Sequence, residues 1–163
     1  MTSSGASSHA FGAPGPGGAV TTADRAWLAL ACRLARASPR SATAYSVGAV
    51  IVAADGTELA RGYAREMDPY DHAEEGALSK LDVADPRVAT ATLYVSLEPC
   101  SHRTSRPRSC ARLLTAAGIA RVVTARRTPA PDGAGPLVAA GVTVLELSEY
   151  GPAAMAPNLH LLG

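Results

Sequence analysis

One imidazole, two thiols and a carboxylate stand out in this 163-residue chain. His72 and Glu74 lie in the run HAEEGAL. Cys100 follows Glu98-Pro99, and Cys110 comes ten positions later. Imidazole and thiolate are the ligand types zinc prefers. Three such ligands leave a fourth position for water, the arrangement of a catalytic zinc rather than a structural one. His72, Cys100 and Cys110 are therefore the expected metal ligands, for one zinc ion per chain. Glu74 is placed to move protons beside that ion, as general base and then general acid. A closed structural zinc, with His102 or Asp71 as fourth ligand, is the competing arrangement.

The surrounding elements must bring these residues together. Residues 72 to about 82 (HAEEGALSKLD) predict a helix with Ala73, Ala77, Leu78 and Leu81 as its apolar stripe and Asp71 at its N-cap. Glu74 then points about 200° around the axis from His72. The two converge only at a point off the helix N-terminus. Cys100 follows a strand at 91–97 (ATLYVSL). Cys110 opens a helix running through Ala117 and closed by Gly118. Helix N-termini favour thiolate, and two thiolates with a neutral imidazole balance the 2+ of zinc. Glu75 reads as a solvated helix residue.

The other elements follow from periodicity and turn chemistry. Thr22 to Ala37 predicts a helix with Trp27, Leu28, Ala31 and Leu34 at helical spacing, Cys32 as a small buried hydrophobe, and Pro39 as its stop. Tyr45 to Ala53 (YSVGAVIVA) and Thr57 to Arg65 (TELARGYAR) predict two strands joined by an Asp55-Gly56 turn. Arg121 to Arg126 predicts a fourth strand, Leu137 to Ala140 a short helix, and Val142 to Leu147 a fifth strand. The last residues predict a broken helix or an extended tail, with His160 structural or frayed. The expected fold is α/β, a three-layer α-β-α sandwich around a five-stranded, mixed and largely parallel sheet. Residues 1–21, rich in Gly, Ser, Ala and Pro, are expected as a flexible tail carrying His9 and Phe11, ahead of a single domain at 22–163.

Composition narrows the partners. Net charge is +1, there is one Trp and one Phe, and no apolar run approaches the roughly 20 residues of a membrane span. These features argue against a nucleic-acid groove with stacking aromatics and against a membrane protein. No basic and apolar leader is evident, and an odd count of three cysteines is no disulfide framework. A cytoplasmic, reducing setting is expected.

The His-x-Glu and Pro-Cys pair is the signature of zinc-dependent deaminases, whose usual ending is Pro-Cys-x-x-Cys. The chain resembles the cytidine deaminase superfamily, and within it the deaminase domain of riboflavin-biosynthesis pyrimidine deaminases. The resemblance covers roughly residues 23–147. It rests on VGAVIV at 47–52, HAEEGAL at 72–78, TLYVSLEPCSH at 92–102, and Cys110 with AAGIARVV at 116–123. It implies the cytidine deaminase fold, zinc on His72, Cys100 and Cys110, and Glu74 as proton shuttle. It also implies assembly as a homodimer or homotetramer. The implied reaction is hydrolytic loss of ammonia from an aminopyrimidine carrying a ribosyl phosphate.

Three features depart from the family pattern. Ala44-Tyr45-Ser46 stands where the family carries Asn-Pro before Val-Gly. The loop between the cysteines carries Arg103, Arg106 and Arg108. No reductase domain is expected after the fifth strand. His102, Arg103 and Arg106 are expected to contact substrate, the arginines as forks for a phosphate or carboxylate. Tyr45 and Tyr70 are expected to stack on a heterocycle. Other readings are a deaminase of a free base, of a cytidine, dCMP or guanine-type nucleoside or nucleotide, or of a specialised metabolite. A zinc-stabilised binding subunit is the non-enzymatic one.

Overall fold

The computed structural model describes residues 10–82, 84–100, 108–127 and 134–162. Helix α1 spans Thr22–Ala35 and begins in a capping box: the Asp24 amide donates to Thr21 Oγ1, and the Thr21 amide donates to Asp24 Oδ2. It ends two residues before the expected Ala37. Residues 36–38 turn more tightly, donating to the third carbonyl back, because Pro39 cannot continue the helix. Strands β1 (Gly48–Val52) and β2 (Glu58–Tyr63) form the expected hairpin, with Gly56 at φ +95° in the turn. Then come α2 (Ala73–Leu78), a 3-10 turn at Pro86–Thr90, β3 (Thr92–Val95), α3 (Cys110–Ala117), β4 (Arg121–Thr124), α4 (Gly135–Ala139) and β5 (Thr143–Glu146). A 3-10 turn at Ser148–Tyr150, helix α5 (Gly151–Met155) and a 3-10 helix at Ala156–Leu161 close the described chain.

The strand order is β2-β1-β3-β4-β5. The sheet is mixed, but less parallel than expected: β1 pairs antiparallel with both β2 and β3, and only β3-β4 and β4-β5 are parallel. The reason is topological. The crossover through α2 leaves β2 and returns β3 on the far side of β1, so β3 runs with β2 and against the strand between them.

Alternation along the buried strands fills two layers. Ala49, Ile51, Leu93 and Val122 face a core built with Ala73 and Ala77 of α2, Leu114 of α3 and Leu137 of α4. Val50, Val52, Tyr94 and Val123 face Trp27, Leu28 and Ala31 of α1 and Ala154 of α5. Gly48 lets α1 lie this close, since a Cβ there would collide with the Ala31 carbonyl.

Residues 10–21 are not the loose tail their composition predicts. Phe11 packs edge-on against Trp27 at 4.8 Å, and Trp27 Nε1 donates to the Gly12 carbonyl at 2.8 Å. The Arg121 guanidinium donates to the Gly17 and Ala19 carbonyls and, through Nη1, to Asp24 Oδ1 at 2.8 Å. Asp24 also accepts from the Gly15 amide and the Tyr94 hydroxyl. Composition reports few apolar side chains in this segment. It does not report that the segment's backbone carbonyls satisfy a buried guanidinium. Residues 1–9, His9 included, lie outside the described residues.

Burial alone would raise the pKa of Asp24. Its bonds from Arg121, Tyr94, Thr21 and Gly15 outweigh that and hold it well below the usual carboxylate range. A depressed native pKa gives stability that is complete above the unfolded value and is lost as pH falls through the native one. Asp24→Asn should therefore cost about 3–5 kcal/mol at pH 7 by stranding Arg121. The gap from wild type should narrow as pH falls below about 4. Urea unfolding followed by the fluorescence of Trp27 checks both; a gap independent of pH would contradict the assignment.

Candidate active site

Each candidate ligand sits where a segment meets the sheet. His72 is the N-cap of α2, one residue later than the expected cap at Asp71. Its amide donates to Glu75 Oε1 at 2.8 Å, so Glu75 fixes the start of the helix rather than being a free solvated residue. Cys100 lies past the carboxyl end of β3, after Pro99. Cys110 is the first residue of α3, which Ser109 caps by accepting from the Arg112 amide. The α3 backbone turns back on Cys100: the Cys110 amide approaches Cys100 Sγ at 3.2 Å, and the Ala111 amide donates to the Cys100 carbonyl at 2.9 Å. Helix α2 reaches its place because Gly62 of β2 has no side chain. A Cβ there would meet the Ala77 amide at 2.6 Å and the Ala73 carbonyl at 2.8 Å.

His72 Nδ1, Cys100 Sγ and Cys110 Sγ all lie within 4.8 Å of one another. Nδ1 is 3.2 Å from Cys110 Sγ and 3.6 Å from Cys100 Sγ. Zinc bonds of about 2.05 Å to nitrogen and about 2.3 Å to sulfur, at tetrahedral angles, need about 3.6 Å between such atoms. The donor set therefore fits the ion in chemistry and spacing. Among the described residues no fourth His, Cys, Asp or Glu joins the group, Asp71 included. The hydrogen bond with Cys110 and the contacts with His72 pull the Cys100 thiol below its ordinary pKa against the opposing effect of burial. Cys32 behaves as expected: it is buried, and burial pushes its thiol up to about 11.

Glu74 is 3% exposed and lies on the wall of the same cavity as His72 and Cys100. Burial pushes its carboxyl up to about 7, with the nearby His72 pulling the other way. A carboxyl balanced between its two forms near neutrality suits proton transfer in both directions. The cavity, about 720 Å³, runs from the carboxyl ends of β3 and β4 to the loop that leads into β1. Tyr45 and Tyr70 stand on its rim, 46% and 64% exposed. His102, Arg103 and Arg106 lie outside the described residues; Arg108 is exposed.

Sequence reasoning missed several wall residues. Arg65, Glu98, Arg126 and Arg127 all line the cavity. The Glu98 side chain is fully buried, and Arg127 Nε donates to it at 3.1 Å. The Arg126-Arg127 pair could have been found from its place alone, since α/β sheets bind ligands beyond the carboxyl ends of their strands.

A three-layer sandwich with a His-Cys-Cys donor group and a buried glutamate beside it has the features of a zinc-dependent deaminase site. Residues 21–126 match the model of the cytidine and deoxycytidylate deaminase zinc-binding region, and the chain belongs to that family. It is 45% identical over 91 residues to the riboflavin biosynthesis protein RibD of Escherichia coli, covering 55% of this chain and 23% of that one. It is 36% identical over 110 residues to the diaminohydroxyphosphoribosylamino-pyrimidine deaminase of Schizosaccharomyces pombe, covering 64% and 27%. The chain thus spans about a quarter of the length of these curated relatives. Among solved structures, Acinetobacter baumannii RibD superposes with a TM-score of 0.69 at 32% identity, over 85% of this chain and 39% of that one. Aspergillus oryzae Rib2 deaminase superposes with a TM-score of 0.70 over 85% and 94%, and at 23% identity shares the fold.

Two substitutions test the centre. Cys110→Ser should drop bound zinc well below one ion per chain and lower the melting temperature, because metal binding is coupled to folding. Elemental analysis and a thermal scan read both. Gly62→Ala should push α2 off β2 and weaken zinc affinity by about tenfold or more in chelator competition, with all three ligands still present. Unchanged affinity would show that the close approach does not set the site.

Proposed function

We propose that the chain is a hydrolytic deaminase of an aminopyrimidine ring, of the riboflavin-pathway type, whose substrate carries a phosphorylated ribosyl arm. The observation that carries this reading is the buried Glu74 beside three donors spaced for one zinc ion, with Glu74, His72 and Cys100 on the wall of a cavity of about 720 Å³. The 45% identity to a riboflavin biosynthesis protein supports the substrate class.

When bound, zinc would acidify a water molecule and supply the hydrolytic nucleophile near neutral pH. The chain's own residues do the rest. His72, Cys100 and Cys110 hold the ion. Glu74 accepts the proton of the attacking water and returns it to the departing amine, so that ammonia leaves rather than an amide anion. Burial of Glu74 keeps that proton from bulk water. Tyr45 and Tyr70 flank the ring on the rim. Arg126 offers a guanidinium to an anionic arm, and Arg103, Arg106 and His102 are assigned to the same task from their position between the cysteines. The reading also takes the chain as a homo-oligomer of a reducing cytoplasm, where two thiol ligands stay reduced. Among the described residues no helix is long and apolar enough to cross a membrane.

Ammonia release from the diaminohydroxyphosphoribosylamino-pyrimidine, set beside cytidine, dCMP and guanine, tests the proposal. Wild type should prefer the first. Glu74→Gln should keep its zinc and lose about 10³-fold in kcat. Retained turnover in that variant would remove Glu74 from the mechanism. Turnover of cytidine or dCMP alone would move the substrate to the nucleotide class.

A further inference from the structure

One part of the cavity wall comes from Ser41, Thr43, Ala44 and Tyr45, in a stretch with no helix or strand of its own. Such a wall keeps its shape only if side chains elsewhere satisfy its backbone. Arg65 does so from the end of β2. Its guanidinium donates to the Pro39 carbonyl, the Tyr45 carbonyl at 3.0 Å and Ser46 Oγ. Arg65 itself sits at φ +60°, a conformation costly for a residue with a side chain, and its amide donates to the Asp71 carbonyl at 2.8 Å.

The other anchor is remote in sequence. Asn158, in the C-terminal 3-10 helix, is 0% exposed. Its Oδ1 accepts the Ser46 amide at 2.6 Å, while its Nδ2 donates to the Ser46 carbonyl at 3.0 Å and to the Ala154 carbonyl at 3.3 Å. One side-chain amide thus offers Ser46 an acceptor and a donor together, as the backbone of a neighbouring strand would. Two residues on, His160 Nε2 donates to the Ser41 carbonyl at 2.7 Å. Ser41 in turn accepts the Thr43 and Ala44 amides on its hydroxyl.

We propose that Asn158 and His160 are positioning residues for the substrate: the C-terminal segment clamps residues 41–46 and so sets the wall that carries Tyr45. The hydrogen bonds of Asn158 and His160 run to Ser46, Ala154 and Ser41, so their effect falls on binding geometry. The word substrate rests on the deaminase reading above; the clamp itself does not.

The test uses the full chain loaded with zinc. His160→Ala should raise KM for the aminopyrimidine about fivefold, the worth of one hydrogen bond, with kcat and zinc content unchanged. His160→Gln, which keeps an amide donor near the Nε2 position, should restore KM. Asn158→Ala should raise KM roughly tenfold or more and speed amide hydrogen exchange at 41–46 with no change in α2 or α3. Asn158→Asp, which keeps the bond from the Ser46 amide, should fall between. An unchanged KM and unchanged exchange at 41–46 in both alanine variants would overturn the proposal. So would a loss of activity that tracks lost zinc or lost folded protein at constant KM. If wild type turns over no aminopyrimidine, the deaminase reading fails and the exchange measurement alone still decides the clamp.

Discussion

Cys100 Sγ lies 3.2 Å from the amide of Cys110 and 3.6 Å from His72 Nδ1, and this meeting of three chain segments constrains everything around it. None of the three residues can reach the others from within one element. Cys100 hangs from the end of β3. Cys110 must return at the head of α3, and His72 must arrive on the head of α2. Both helices pack on the same face of the sheet, where Ala73, Ala77 and Leu114 share one core with Leu93 and Val95. The small residues of α2 are part of that constraint. With Gly62 beneath them, Ala73 and Ala77 allow helix backbone to lie almost on strand backbone. A bulkier pair would lift His72 away from the thiols.

The opposite face serves a different purpose. There α1, α5 and residues 10–21 cover the sheet, and a buried ion pair between Arg121 and Asp24 ties α1 and the segment before it to β4. Arg121 begins β4, so this network sits at the end of the parallel strands away from the cavity. Its polar groups are satisfied by backbone carbonyls, a hydroxyl and a carboxylate, and burial of the Arg121–Asp24 pair strengthens the attraction between them. The buried ion pair thus lies at one end of β4, and the cavity with Glu74 on its wall lies at the other.

Much of this was readable in the sequence, for reasons that differ by element. The hairpin declared itself through Asp55-Gly56, the end of α3 through Gly118, and the buried strands through runs such as AVIV. The metal donors were readable because few chemistries put Pro-Cys after a strand and His-x-Glu at a helix start. What was hidden depends on contacts across the fold. The ordering of residues 10–21 rests on their carbonyls, which every sequence has, meeting one guanidinium from β4. The pairing of β1 with β3 rests on which side of β1 the crossover returns, and no local pattern records that. Glu75 looked like a surface residue until the amide of His72 was placed beside it.

Charge around the cavity follows from the same geometry. Three arginines among the described residues line it, and two of them are committed: Arg65 to the carbonyls of Pro39 and Tyr45, Arg127 to the buried Glu98. Glu98 needs that partner, because an unpaired carboxylate with no exposed surface is costly. Arg126, exposed on the neighbouring position of the same strand end, pairs with no carboxylate among the described residues. Its backbone is held, since the Glu98 amide donates to its carbonyl at 3.0 Å. The cavity therefore sets a guanidinium with a held backbone, paired with no carboxylate among the described residues, beyond the end of β4, two positions from the last residue of that strand. An anionic arm on the substrate would be drawn there without displacing any ion pair that the fold itself requires.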